Sequence, residues 1–189
     1  SPTISGFGSV LPSYAGVLIE NEIEALNFAV ENPPRPYTVI LGGIKCDDSL
    51  DIACNLLKRE IVDNIVPVGV VGNLMLWASG IHLGDANEVF IRNGLGEAFD
   101  RTWKMATWVV EKHLDKLMLP TDLAIEVDEE RVAILVQDLP TEYPIYDIGI
   151  GTLMKISPAI MDAKCVLWNG PASYFEKSKF AFGTIEILN

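Results

Sequence analysis

The sequence predicts an α/β fold, a three-layer sandwich with a mostly parallel sheet and one inserted β-hairpin. Two continuous apolar runs, Tyr37–Leu41 and Ile65–Val71, have the composition of strands that are buried on both faces, as parallel strands are. Between them, residues 50–63 space their apolar side chains as a helix does. Strand, helix and strand joined by short links form the βαβ unit of a parallel sheet, so the arrangement is Rossmann-like.

The remaining elements follow from the same periodicities. Before the first strand, apolar residues recur at helical spacing and predict a helix over 15–30, which the prolines after Asn32 end. The later segments predict a helical region over 84–112, a short strand at 117–120, a β-hairpin of 124–127 with 132–136, a helix near 157–162, a strand at 165–168 and a final helix from about Phe175.

Charge and composition exclude several classes of function. The 189 residues carry 14 basic and 26 acidic side chains, a formal net charge of −12, whereas proteins that bind nucleic acid or anionic membranes need clustered Lys and Arg. No run reaches the roughly 18 apolar residues of a membrane span. The first residues lack the basic start and apolar stretch of a secretory signal. We therefore expect a cytoplasmic protein.

Cysteine and histidine are too few and too scattered for a metal site. Cys46, Cys54 and Cys165 show no CxxC spacing, so we expect free thiols in a reducing cytoplasm rather than disulfides or zinc ligands. His82 and His113 lie in no HExxH or HxH pattern. We therefore assign no metal ligand.

Three predicted strands end in glycine or other turn residues, at Gly42-Gly43, at 69–72 and at Asn169-Gly170-Pro171. Ligands of parallel sheets bind at the carboxyl ends of the strands, beside helix N-termini. Each glycine alone is equally suited to a tight turn, but three such ends favour a shared cleft. Lys45, which follows the first glycine pair, is either a solvated surface lysine or a positive charge for a phosphate.

Several motifs, in order along the chain, make a more specific pattern. They are LGGIK at 41–45, WNGP at 168–171, FE at 175–176 and FAFGT at 180–184. This pattern resembles phosphoglycerate kinase of the archaeal type over residues 1–189, because that family carries LGGAK, WNGPxGxFE and FAxGT in the same order. A Rossmann-type dehydrogenase is disfavoured, since Gly149-Ile150-Gly151 lacks the third glycine of GxGxxG.

The resemblance implies the C-terminal, nucleotide-binding domain of a two-domain kinase, truncated at both ends. Residues 1–14 would be a remnant of the interdomain segment, and residues 15–189 an incomplete nucleotide-binding domain without the family's last strands, last helix and phosphate loop. The family transfers a phosphoryl group between 1,3-bisphosphoglycerate and ADP in glycolysis and gluconeogenesis, with Mg²⁺ carried on the nucleotide. Because 3-phosphoglycerate would bind only through the absent N-terminal domain, we expect no turnover from this chain alone.

The resemblance also implies roles for individual residues. Lys45 would be the catalytic residue and contact the phosphoryl group in transfer. Ile148 would touch the adenine. Glu176 would hold the ribose hydroxyls, although its position also suits a capping acid at a helix start. The full nucleotide site implied by the resemblance is Gly42, Gly43, Ile44, Lys45, Gly69, Ile148, Asn169, Pro171 and Glu176, with no metal ligand.

Four positions, Ile44, Val68, Ser173 and Tyr174, carry larger side chains than the family pattern has, and we expect them to crowd the adenine or the ribose. The changes leave two hypotheses open. The chain is either a kinase domain with small local shifts, or a noncatalytic or engineered scaffold with an altered cleft that acts as a binding or self-assembly module. The second hypothesis predicts self-association or a bound partner at an exposed sheet edge.

Overall fold

The computed structural model describes Gly6, Leu11, Pro12 and residues 14–189. The chain divides into two compact units, Ser1–Pro33 and Pro34–Asn189. The first unit contains helix α1 (Val17–Glu31), close to the predicted span of 15–30. Most of the predicted interdomain remnant, 1–14, lies outside the described residues, and the predicted domain boundaries stay a prediction. None of the helices in the described part of the chain combines the length and apolarity that crossing a membrane requires.

The second unit contains both strands and helices. In chain order its elements are β1 (Tyr37–Leu41), α2 (Cys46–Lys58), β2 (Asn64–Pro67), α3 (Gly69–Ala78), α4 (Asp85–Leu95), α5 (Phe99–His113), β3 (Asp122–Val127), β4 (Glu130–Leu135), β5 (Ile145–Ile148), α6 (Ile150–Met161), β6 (Cys165–Asn169) and α7 (Phe182–Leu188).

The central sheet has the strand order β2-β1-β6, and both pairings are parallel. Neighbouring side chains of a strand point to opposite faces, so Val39 packs in the core that α2 and α5 share, whereas Ile40 packs with Ile156 of α6. On the α6 side, the Thr38 hydroxyl donates a hydrogen bond to the carbonyl oxygen of Ala159, 2.8 Å away. Helices therefore cover both faces of the sheet, and the predicted α/β class is confirmed.

A second, antiparallel sheet has the order β4-β3-β5. Strands β3 and β4 form the predicted hairpin, with Asp128 and Glu129 at its turn in left-handed conformations, φ 49° and 64°. The hairpin is not an isolated excursion, because β3 also pairs with β5. The strand predicted at 117–120 is wrong: only Leu117 forms a bridge, with Ile65 of β2. A 3₁₀ turn before this segment and Pro120, which has no N–H, leave little backbone for a longer ladder.

Two boundaries in the first half differ from the predictions, because glycine and helix geometry override the apolar pattern. The second strand ends at Pro67 instead of Val71, since Gly69 adopts φ 56° and begins α3. The helical region 84–112 is two helices separated by a 3₁₀ turn, Gly96–Ala98, in which Gly96 has a φ of 51°.

Three other helices also start at different residues. Helix α2 begins at Cys46, four residues before the predicted start, so that Lys45 is its N-cap residue. Helix α6 begins at Ile150, because the Asp122 carboxylate of β3 accepts hydrogen bonds from its first-turn amides, including Gly151 at 2.8 Å. The final helix begins at Phe182 rather than near Phe175.

The three cysteines are free, as expected. Burial raises the pKa of the Cys46 thiol to about 12, so this side chain behaves as a small apolar residue of the core.

Candidate functional site

The carboxyl ends of β1 and β6 touch backbone to backbone. The Gly42 amide donates to the carbonyl oxygen of Asn169 at 2.7 Å, and the Gly43 amide donates to that of Pro171 at 2.8 Å. A Cβ atom on Gly42 would lie 2.3 Å from the Pro171 oxygen, and one on Gly170 would lie 2.5 Å from the Gly42 oxygen. Only glycine allows this approach, so the two predicted strand ends meet as expected.

The N-terminus of α3 lies against the same two loops. A Cβ atom on Gly69 would be 3.0 Å from the Pro171 oxygen and 3.2 Å from the Gly43 nitrogen. Helix α2 begins directly after Lys45, at the end of β1. Two helix N-termini therefore lie at this edge of the sheet, and the partial positive charge of each favours an anion.

Lys45 and Asn169 lie at this edge as well. The Lys45 side chain is exposed, and it forms no ion pair with any residue of the described chain. The Asn169 amide donates to the Ser49 hydroxyl of α2 at 3.1 Å, and Ser49 is fully buried. The Asn169 side chain is therefore oriented by α2. Sequence reasoning did not identify Ser49. The only sequence feature that could have indicated it is its position one helical turn after Lys45.

A cavity of about 610 Å³ opens beside these loops, within the volume range of small-molecule sites. It lies between α3, α4, β5 and the loop after β6. Three of the predicted site residues, Gly42, Lys45 and Asn169, are outside its lining. The other six line it: Gly43, Ile44, Gly69, Ile148, Pro171 and Glu176.

Much of the lining is apolar and comes from elements that sequence reasoning did not connect with the site. Helix α4 contributes Ala86 and Phe90, β3 contributes Leu123, and Ile145 comes from β5. The spacing of the apolar residues in α4 predicts that one face of the helix is buried. It does not indicate whether protein or a ligand covers that face. Only the folded chain brings the second sheet next to α3.

The four enlarged side chains leave the cavity open. Val68 is fully buried in a core cluster and is not part of the lining, so the expectation that it intrudes on a nucleotide is wrong. Ile44 lines the cavity but is 70% exposed, at its mouth. Ser173 and Tyr174 form one wall, where the Tyr174 ring packs edge-on against Tyr146 with centroids 5.2 Å apart.

The FAFGT motif supports this wall from behind. The Thr184 hydroxyl accepts a hydrogen bond from the Ala172 amide at 3.1 Å and shares another with the Ser173 hydroxyl at 2.7 Å. The Gly183 amide donates to Asp147 Oδ2 at 3.0 Å, and a Cβ atom on Gly183 would overlap that carboxylate at 2.2 Å. The motif therefore holds both the loop after β6 and the end of β5.

Asp147 is a buried carboxyl in the cavity wall, 2% exposed. Burial raises its pKa to about 6, although amide hydrogen bonds from Gly183 and Ile148 and the charge of Arg131 act in the opposite direction. Arg131, on the hairpin, places Nη2 3.4 Å from Asp147 Oδ2 and donates to the Ile148 carbonyl oxygen at 2.9 Å. The hairpin is thus tied to the strand end that lines the cavity.

Glu176 lies in a turn at the edge of the cavity, and its side chain is exposed. No α-helix begins there, since α7 starts at Phe182. The alternative interpretation of Glu176 as a helix-capping acid is therefore wrong.

The sequence model of the phosphoglycerate kinase family matches residues 1–189. The chain belongs to the phosphoglycerate kinase family. The phosphoglycerate kinase of Methanobacterium bryantii is 40% identical over 188 residues, which cover 100% of this chain and 45% of that protein. Such archaeal relatives confirm the predicted archaeal type. The chain spans about 45% of the length of these curated relatives.

Solved phosphoglycerate kinases share the fold. The crystal structure of the enzyme from Pyrococcus horikoshii OT3 matches with a TM-score of 0.87 at 33% identity, over 100% of this chain and 47% of that one. The enzyme from Coxiella burnetii matches with a TM-score of 0.71 at 28% identity, over 92% of this chain and 43% of that one.

Metal ligands are a separate matter. Within the described residues, no group of three His, Cys, Asp or Glu side chains is arranged to hold a metal ion. The expectation that this chain supplies no metal ligand stays a prediction.

Proposed function

We propose that this chain binds the adenine nucleotide used in phosphoryl transfer between 1,3-bisphosphoglycerate and ADP. The observation that carries the proposal is a mostly apolar cavity at one sheet edge, beside two helix N-termini and Lys45, which forms no ion pair with the described residues. The apolar walls suit a purine, and the helix N-termini and Lys45 suit phosphates. Family membership supports the same reaction.

The residues present fit a nucleotide that carries Mg²⁺ on its phosphates. Gly43 and Gly69 line the cavity with φ of 76° and 56° and no side chain, so phosphate oxygens can approach the backbone there. Mg²⁺ that rides on phosphate oxygens needs few protein ligands. When bound, Mg²⁺ would neutralise phosphate charge. Lys45 would then direct its ammonium group to the phosphoryl group in transfer, where charge stabilisation matters most.

Binding without turnover is the second part of the proposal. Phosphoryl transfer needs the acceptor in line with the nucleotide and water excluded from both. The chain spans about 45% of its relatives' length, and we infer that 3-phosphoglycerate binds to a part of the protein outside these 189 residues. A cytoplasmic location remains an expectation.

Isothermal titration with Mg-ADP tests the proposal. Ala86→Trp places an indole in the cavity from an exposed position of α4, and we expect it to weaken binding at least tenfold, about 1.4 kcal/mol. Val89→Trp, on the same helix but outside the lining, is the matched control and should bind as the wild type does. Lys45→Ala should weaken binding by about tenfold, since a charged hydrogen bond is lost.

The outcome separates the two hypotheses. If the wild-type chain binds no Mg-ADP at millimolar concentration, the nucleotide-site proposal is wrong and the scaffold hypothesis takes its place. That hypothesis further predicts self-association or a bound partner, and strand β6 is an edge of the parallel sheet with Val166 44% exposed. A monomer by light scattering would count against it.

A further inference from the structure

Asn73 is a largely buried amide in the lining of the cavity. It lies on α3, is 6% exposed and belongs to the cavity lining. Among the residues that the structure describes, none hydrogen-bonds its side chain. Its amide atoms are not among the fully buried polar atoms that lack a partner, so they are open to the cavity, and a ligand that supplies both a donor and an acceptor can pair with them.

The second amide of the cavity, Asn87, shows what a structural role looks like. Its Nδ2 donates to the Tyr143 carbonyl oxygen at 3.0 Å and to the Leu83 carbonyl oxygen at 3.4 Å, and its Oδ1 accepts from the Ile145 amide at 3.1 Å. Both of its donors and one of its acceptor lone pairs are used, and the bonds to Tyr143 and Ile145 hold the segment that enters β5. Asn73 differs from Asn87 because no described residue hydrogen-bonds its side chain.

The position of Asn73 along α3 relates it to the phosphate end of the cavity. Gly69, the first residue of α3, and Asn73 are four residues apart and so lie on the same face of the helix, both in the lining. Around Asn73 the lining is apolar, with Val70, Pro120 and Leu123. An apolar cavity wall with an amide that no described residue hydrogen-bonds, one helical turn from a helix N-terminus that favours anions, has the chemistry of a base-recognition site.

On the basis of the function proposed above, we propose that the Asn73 amide reads the hydrogen-bonding edge of the nucleotide base. Adenine offers an acceptor, N1, beside a donor, the 6-amino group. An amide matches both at once, with Nδ2 donating and Oδ1 accepting. A carboxylate at the same place would offer acceptors only. It would repel adenine N1 and match the two adjacent donors of guanine, N1–H and the 2-amino group.

The test titrates Mg-ADP and Mg-GDP into the wild-type chain, Asn73→Asp and Asn73→Leu at pH 8. Because a bidentate contact discriminates bases by roughly 5- to 150-fold, Asn73→Asp should raise affinity for GDP relative to ADP by at least about tenfold. Asn73→Leu should weaken both nucleotides. Asn93→Asp adds the same charge at an exposed position of α4 outside the lining and should leave the ratio unchanged.

A second measurement changes the ligand instead of the fold. The diphosphate of unsubstituted purine riboside lacks the 6-amino donor, and the wild-type chain should bind it about fivefold more weakly than ADP. Asn73→Leu should bind the two equally. This comparison tests whether Asn73 recognises the base even if Asn73→Asp does not fold.

The outcomes also distinguish a failure of the base-recognition proposal from a failure of the nucleotide-binding proposal. If the wild-type chain binds Mg-ADP but the variants keep its base preference and its dependence on the 6-amino group, Asn73 does not read the base and the nucleotide site stands. If the wild-type chain binds none of the nucleotides, both proposals fall.

Discussion

Replacing Thr184 with valine tests whether the FAFGT motif holds the loop that follows β6. Valine keeps the shape of threonine but removes the hydroxyl that accepts from Ala172 at 3.1 Å and bonds Ser173 at 2.7 Å. Ala172 is fully buried and Ser173 is 7% exposed, so an amide and a hydroxyl both lose their partner. At about 1–3 kcal/mol for each unsatisfied buried group, we expect the free energy of unfolding to fall by about 2–4 kcal/mol.

A double-mutant cycle apportions this loss. Ser173→Ala removes one of the two hydrogen bonds and leaves the Thr184 hydroxyl on the Ala172 amide, so it should cost only about 1 kcal/mol. Because the two hydroxyls contact each other, Thr184→Val and Ser173→Ala should couple by about 1 kcal/mol in the combined variant. Urea unfolding followed by tryptophan fluorescence measures all four chains, and a Mg-ADP titration shows whether the displaced wall also weakens binding.

Thr184→Ser is the matched control, because it keeps the hydroxyl and loses one methyl group, and it should remain within about 1 kcal/mol of the wild type. Strict additivity of Thr184→Val and Ser173→Ala would refute the reasoning. A Thr184→Val chain as stable as Thr184→Ser would refute it too, since the hydroxyl would then carry no stability.

Two further predictions concern a buried charge and a close backbone contact. Burial raises the Asp147 pKa from 3.8 to about 6, so its contribution to stability is complete below pH 3.8 and is lost as the pH rises through about 6; the loss is about 3 kcal/mol. Wild type should therefore lose stability relative to Asp147→Asn between about pH 4 and about pH 6. Gly170→Ala should cost at least about 2 kcal/mol, because φ is 75° and the new Cβ would lie 2.5 Å from the Gly42 oxygen. Gly80→Ala should cost only about 1 kcal/mol, since φ is 96° but no atom lies within 4 Å.

Each of these has a clear contrary result. A difference between wild type and Asp147→Asn that does not change over this pH range would mean that the carboxyl titrates normally. Equal losses for Gly170→Ala and Gly80→Ala in urea unfolding would mean that backbone conformation alone, and not contact between the loops, requires glycine at residue 170.

The strands of the parallel sheet could be predicted wherever local pattern and global burial agree. The sequence predicts β1 at its observed bounds, Tyr37–Leu41, because an unbroken apolar run with β-branched residues favours a buried strand. β2 was predicted too long, since the apolar residues after Pro67 continue the same pattern in a helix. The conformation of Gly69, φ 56°, ends the strand and begins the helix. Hydrophobic periodicity does not predict this conformation.

Some residues of the candidate site could likewise be predicted from the sequence, and others could not. Gly43 and Pro171 could be placed at the cavity because the LGGIK and WNGP motifs carry them, and Ile148 because of the family resemblance. Ser49 and Asn73 could not, because the partner of Ser49 and the place of Asn73 in the cavity lining exist only in the folded chain. The Ser49 hydroxyl meets an amide 120 residues away, and no local signal marks such a partner.

The backbone contact between the loops after β1 and β6 has a kinetic consequence. The Gly42 and Gly43 amides donate to neighbouring carbonyls of a single loop, so the two loops separate only when both bonds break together. Deuterium uptake at these amides would therefore report one opening event with one lifetime. A ligand that touches either loop would slow uptake at both amides by the same factor.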